Sequence, residues 1–253
     1  MKNQKRNMQL VRFFSIVALG GTLFLGSCAK ESSSSTGWNF NDPKVGGFQK
    51  VPFIDQETGP GLLLVEGGTF TMGRSEQDVM YDWNNRPTRV TVSSFYMDQT
   101  EVTNFHWLEY LYWISRAYET YPMVYKNALP DTLCWRTPLA FMEKYVDYYL
   151  RHPAYRDYPV VGVSWLQAND FCKWRTDRVN EYILVREGVL AWNVDQRDDN
   201  TFNTEAYYAG QYEDAVARNV QNLDPSKMDG KKLGTRIVKM EDGILLPRYR
   251  LPT

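Results

Sequence analysis

Few residues in this 253-residue sequence have types and spacings that suggest chemistry beyond packing: three cysteines, two histidines and one acidic run. His106 and His152 are separated by 45 residues, and neither has a partner at the short spacing of a histidine zinc site, so both read as surface or hydrogen-bonding side chains. Asp195, Asp198 and Asp199 offer hard oxygens suited to calcium. They lack the glycine turn and distal glutamate of an EF-hand loop, and the run reads as a solvated loop. The run from Gly67 to Gly73 has the glycines of a phosphate cradle without the Gly-Lys-Ser/Thr ending that supplies cation and hydroxyl, so it reads as a turn between strands. No serine or cysteine stands beside a base that a third group orients. The residues alone therefore assign no catalytic residue, no metal ligand and no cofactor.

Cys28 is the exception, and its chemistry is attachment. Lys2, Lys5, Arg6 and Arg12 precede an apolar stretch from Phe13 to Leu25, the layout of an export signal. At 13 residues the stretch falls short of the roughly 20 helical residues that span a bilayer core. It ends in Leu25-Gly26-Ser27-Cys28, which resembles the lipobox of bacterial lipoproteins, where small residues let the peptidase reach the bond preceding a cysteine that receives the lipid. Several acyl chains on one cysteine, each worth about 0.8 kcal/mol per buried CH₂, hold a protein to a membrane stably. Residues 1–28 are thus expected to be a lipoprotein signal peptide, with Cys28 the lipid attachment site.

Removing the signal takes Lys+Arg from 29 to 25 against 30 Asp+Glu, an acidic balance that argues against a nucleic-acid partner. Cys134 and Cys172 remain, and they read as two separate thiols because Cys172 falls on the apolar side of a helix. The chain carries 17 Tyr and 8 Trp, which indicates a folded body or broad contact surfaces without separating the two.

The elements that must position these residues are legible in pattern. Residues 29–60, with the run Ser32-Ser33-Ser34-Ser35-Thr36-Gly37, read as a flexible tether, and 61–253 as the folded body. Leu62 to Val65 reads as a buried strand, Thr69 to Met72 and Arg89 to Ser93 as further strands, and Phe95 to Met97 as an extended continuation, together a small antiparallel sheet. From Asn104 a helix is expected with Phe105, Leu108, Leu111, Tyr112 and Ser115 on its apolar side. A second starts at Ser164 with Gln167 completing a capping box, and Ala168, Phe171, Cys172, Arg175 and Val179 share one of its faces. Loops are expected at 195–200 and 224–230, and an apolar strand at Ile244 to Pro247. The fold class is α+β and loop-rich.

Four segments carry a resemblance. Val65 to Gly73, Phe95 to Asn104, Tyr158 to Trp165 and Tyr249 to Thr253 are similar, in order and over about 190 residues, to landmarks of the formylglycine-generating enzyme, or sulfatase-modifying factor, family. The resemblance implies a variant of the C-type-lectin-like fold. In that family Arg-Leu-Pro-Thr is followed by the half of the domain that bears the copper-binding cysteines and calcium ligands, so 61–253 is expected to be the N-terminal part of such a domain, with strands and apolar surface left exposed. Cys134 and Cys172 do not fall at the family's catalytic positions, and no active-site residue carries over.

The lipobox and the tyrosine-rich segments Leu108 to Trp113 and Tyr145 to Pro153 resemble gliding-motility lipoproteins of Bacteroidetes. That likeness implies a non-enzymatic structural or assembly role in gliding and type IX protein secretion. The partners would be other envelope proteins, and the site the outer membrane, lipid-anchored and facing the periplasm. Two alternatives stand beside it. One is a copper-dependent oxidase that makes formylglycine from a protein cysteine. The other is a lectin-like module in which Trp83, Trp107, Trp113 and Trp135 stack on glycan or hold peptide.

Overall fold

The computed structural model describes residues 31–45, 48–51, 57–73, 80, 84–212, 220–222 and 234–252. Cys28, Trp83 and the loop at 224–230 lie outside these residues. The chain divides into two compact units, one of residues 1–51 and 221–235, the other of 52–220 and 236–253.

In the first unit the polar run makes a tight turn in which the Ser33 amide donates to the Trp38 carbonyl, and Ser32 bridges Asn39. Asn41 then clamps Lys50 through two hydrogen bonds of 2.8 and 3.1 Å. The Phe40 and Phe48 rings meet at 5.7 Å.

The second unit opens with nested antiparallel pairs. Strand β1 (Leu62–Val65) pairs with β4 (Phe95–Asp98), with Val65 opposite Phe95, and β2 (Gly68–Met72) pairs with β3 (Thr88–Val92), with Gly68 opposite Val92. The expected single sheet is instead two separate two-stranded ribbons, because Glu66-Gly67 and Ser93-Ser94 interrupt the ladder between them. Gly67 makes the interruption possible: a Cβ there would meet the Val92 carbonyl oxygen at 2.5 Å and the Ser94 amide at 2.6 Å. The expectation that β1 is buried fails, since Leu63, Leu64 and Val65 are all exposed. A two-stranded ribbon covers neither of its own faces, so apolar content does not by itself signify burial.

Helix α1 (Asn104–Ala117) is capped by Thr103, whose hydroxyl accepts from the His106 amide. Its buried side is Asn104, Trp107, Tyr110, Leu111, Ile114 and Ala117, rotated from the expected stripe; Phe105, Tyr112 and Ser115 are exposed. The aromatic rings decide the rotation: Trp107 stacks on Phe171 at 5.3 Å, and Tyr110 meets that ring edge-on at 5.5 Å. After α2 (Pro122–Ala128) and α3 (Glu143–Tyr148) comes the longest helix, α4 (Trp165–Arg186), with the Ser164–Gln167 capping box in place.

α4 serves two cores. Phe171, near its start, closes the cluster of Trp107, Tyr110, Leu111, Ile114, Ala128 and Leu150. Ile183 and Leu184, near its end, join Val189, Leu190, Phe202, Tyr207, Val238 and Leu245. A short helix α5 (Thr204–Tyr208) supplies Tyr207. The segment Ile244 to Pro247 is not the expected strand. Its backbone is taken up by the fully buried Asn180 side chain, which accepts from the Leu246 amide at 2.9 Å and donates to the Leu246 carbonyl at 3.2 Å, while Leu245 fills the core. Strands β5 (Val220–Asn222) and β6 (Gly234–Arg236) pair with each other. Among the described residues no helix is long and apolar enough to cross a membrane.

Candidate functional site: a cleft between the β4 end and two helices

The second unit holds a cleft of about 310 Å³ lined by Pro60, Gly61, Asp98, the loop from Thr100 to Val102, His106 and Glu109 of α1, and Phe171, Trp174, Arg175, Arg178 and Val179 of α4. Three pieces of chain meet there for local reasons. β4 ends at Asp98, and the Gln99 amide donates to the Gly61 carbonyl at 3.1 Å, folding the strand end over the entry loop. Gly61 holds φ +75°, a conformation that favours glycine, and passes close to both Asp98 and Arg175. The next segment, Val102, receives a hydrogen bond from the Val160 amide at 2.9 Å, which fixes the start of α1.

Arg175 closes one wall. Its guanidinium bonds the Asp98 carboxylate in bidentate fashion at 2.6 and 2.7 Å, donates to the Pro60 carbonyl at 2.8 Å, and lies 4.4 Å from the Tyr249 ring centre. Burial opposes its charge, but the Asp98 bonds outweigh that and hold its pKa above the usual arginine range.

Arg178 stands one turn on. It pairs with Glu181 at 2.5 Å, donates to the Phe202 carbonyl at 3.2 Å, and stacks over Trp113 at 4.5 Å. Burial pushes Glu181 up and Arg178 down, each against the attraction of the other. Both cations of the cleft are thus committed to carboxylates within the fold.

What remains on the wall is acidic and aromatic. Among the described residues Glu101, His106 and Glu109 take part in no ion pair. Trp174 also lines the cleft, and its buried Nε1–H meets no acceptor among the described residues. A cleft with an aromatic floor and uncommitted carboxylates at the rim suits a segment that brings an apolar stem with a cationic or hydrogen-bonding head.

The residues singled out in the sequence are scattered over the structure. His106 sits at this cleft, whereas His152 caps the turn Pro153–Tyr155, its Nδ1 accepting from the Ala154 amide at 3.1 Å. Asp198 begins a one-turn 3-10 segment beside Asp199, facing a broad open depression, and Asp195 stands exposed before it. No group of three His, Cys, Asp or Glu side chains converges there or elsewhere among the described residues. Trp107 is in the core and Trp113 is packed under Arg178, so neither is a sugar platform; Trp135 lies against Tyr145 and Tyr149 at 5.3 and 4.8 Å. The Asp98–Arg175 pairing and the places of Glu101, Glu109 and Trp174 do not follow from the sequence pattern. One signal points towards them: an arginine in the apolar stripe of α4 needs an anion brought by another element.

Both remaining cysteines are free thiols in different surroundings. Cys134 is exposed on the 3-10 turn Thr132–Trp135, and Cys172 is half-buried on α4 near Arg175, Asp98 and Arg248. Desolvation is the main cause that raises both pKa values. Among the described residues neither thiol belongs to a converging group of three His, Cys, Asp or Glu side chains.

Comparison with protein families matches residues 48–253 to the sulfatase-modifying factor enzyme 1-like domain, the greater part of the chain. The chain belongs to this family. The match contains every residue of the cleft and both core clusters of the sulfatase-modifying-factor-like domain. Mixed helix and sheet agree with an α+β class. No curated protein matches the chain.

Proposed function

We propose that the protein is a lipid-anchored, non-catalytic structural or assembly component of a gliding-motility and type IX secretion apparatus. Acylated Cys28 would hold it to the outer membrane with its body in the periplasm. The observation that carries the reading is the order of parts: a basic and apolar leader ending in Leu25-Gly26-Ser27-Cys28, followed by a sulfatase-modifying-factor-like domain. The finer resemblance is to the lipoprotein GldJ, with GldK next, through the tyrosine-rich segments Leu108 to Trp113 and Tyr145 to Pro153. The lectin-like variant of the fold belongs to the same reading, and the cleft at Trp174, Glu101 and Glu109 is its place for a peptide segment of an envelope partner.

The family itself favours a second reading, a copper-dependent oxidase that converts a protein cysteine to formylglycine. Exposed Cys134 and half-buried Cys172, each a free thiol on a different element, weigh against it. Two measurements on the membrane fraction separate the readings. The scaffold reading expects cross-linking from Glu109→Cys to capture secretion or motility proteins, and no copper-dependent oxidation of a cysteine peptide. Oxidation of that peptide, with no envelope protein captured, would replace it by the oxidase.

A further inference from the structure

The loop between the Thr132–Trp135 turn and α3 presents apolar side chains in an arrangement that the cleft does not use. Leu139 is 109% and Phe141 87% exposed, the two most outward apolar side chains among the described residues. Leu139 also holds φ +68°, a left-handed conformation that leucine adopts at a cost, so the backbone is bent to turn this side chain out. The loop is nonetheless not loose. Arg136 and Glu143 join its two ends through bonds of 2.9 and 3.0 Å, and the Trp135 ring packs on Tyr145 at 5.3 Å just below. The Ala140 amide donates to the Thr137 carbonyl at 3.2 Å, closing the turn.

We propose that this knob inserts into the lipid surface to which the protein is tethered, with Leu139 and Phe141 in the acyl boundary and Trp135, Tyr145 and Tyr148 at headgroup level. Three features favour a bilayer over a protein pocket. The tip is purely apolar, without the polar rim that a protein pocket would match. Arg136 and Glu143, the charges that join the two ends of the loop, are paired with each other, so neither meets the lipid uncompensated. Rings with apolar bodies and polar tips flank it, and Tyr148 is itself exposed, the side-chain set of a membrane interface. The inference rests on the anchored reading, since the tether is what brings the knob to lipid. Burying two such side chains raises partitioning by about a hundredfold.

The test uses the processed full chain in Cys134→Ser background, reconstituted in phosphatidylethanolamine–phosphatidylglycerol vesicles containing brominated lipid. An environment-sensitive dye is placed at Phe141→Cys, or at Tyr182→Cys on α4, also an exposed position. The dye at 141 is expected to shift to the blue and be quenched, the dye at 182 to be unaffected, and Leu139→Asp to abolish the quenching at 141. Equal responses at 141 and 182, or a response at 141 that requires a second protein, overturns insertion. The mass of the N-terminal peptide in the same preparation reports acylation. An acylated Cys28 with an unquenched dye therefore rejects the knob alone, and a bare Cys28 with a quenched dye rejects the anchor alone.

Discussion

Arg175 and Asp98 stand 77 residues apart in the chain and meet in a bidentate pair at 2.6 and 2.7 Å, tying the end of β4 to the middle of α4. The same guanidinium reaches the Pro60 carbonyl and covers the Tyr249 ring, so one side chain gathers the entry loop, the ribbon, the long helix and the C-terminal segment. Arg175→Lys keeps the charge and loses the fork. It is expected to cost about 1–3 kcal/mol in urea unfolding, the range of charge-assisted bonds. A loss within about 0.5 kcal/mol, the usual range of a neutral surface change, would show that the pair does not organise the wall.

Asn180 takes the place that a neighbouring strand would occupy for Leu246. Asn180→Leu leaves the Leu246 amide and carbonyl without these partners, at roughly 1–3 kcal/mol for each buried group. Thermal melting should show a loss of about 2–6 kcal/mol on the same scale. Thr204→Val, which removes one long contact to Asn180 at 3.5 Å, should cost far less.

Glu181 gives stability a pH dependence of definite sign. Burial raises its pKa in the folded chain above the unfolded value. Between the two values the native state keeps a proton that the unfolded state has released, so this group lowers stability as pH rises through the window, and above it the loss is complete. Urea unfolding from about pH 4, near the ordinary glutamate value, upward should show this falling contribution in wild type and a flatter profile in Glu181→Gln. A wild-type profile that rises more steeply than the variant's would reverse the assignment.

The break between the two ribbons can be tested with adjacent glycines. Gly67→Ala places a Cβ against backbone at 2.5 Å and is expected to destabilise by about 1–3 kcal/mol, the usual cost of overpacking. At Gly68 an added Cβ would have nothing within 4 Å, and alanine should stay within about 0.5 kcal/mol. Paired melts that give both variants equal losses would contradict the close approach.

Local rules carry far in this sequence and non-local ones do not. The Ser164–Gln167 capping box and the strand read at Arg89–Ser93, observed as Thr88–Val92, each involve neighbours in sequence, and each is present. The turn expected after Val65 is not, since the chain runs on from β1 into β2, and the expected period-two alternation fails, since only Val90 of that strand is half-buried. Helix periodicity misplaces the apolar side of α1 because Trp107 and Tyr110 lock onto Phe171, some 60 residues later, and periodicity carries no information about that partner. Ile244 to Pro247 reads as a strand because its apolar run does seek burial; an asparagine from α4, invisible to any local pattern, satisfies its backbone instead. The cleft is hidden for the same reason. Asp98 and Glu101 are visible within a landmark, but their convergence with Trp174 and Arg175 is a property of chain topology.

Covalent attachment at Cys28 underlies the localisation, the partners and the role alike. Cells expressing the full-length chain are grown with labelled palmitate, and the wild-type protein and its Cys28→Ala variant are immunoprecipitated after envelope fractionation. Label is expected on the wild type alone, with wild type in the outer-membrane fraction. Equal label on both, or an unlabelled wild-type protein recovered from the cytosol with Met1 intact, would refute the anchor.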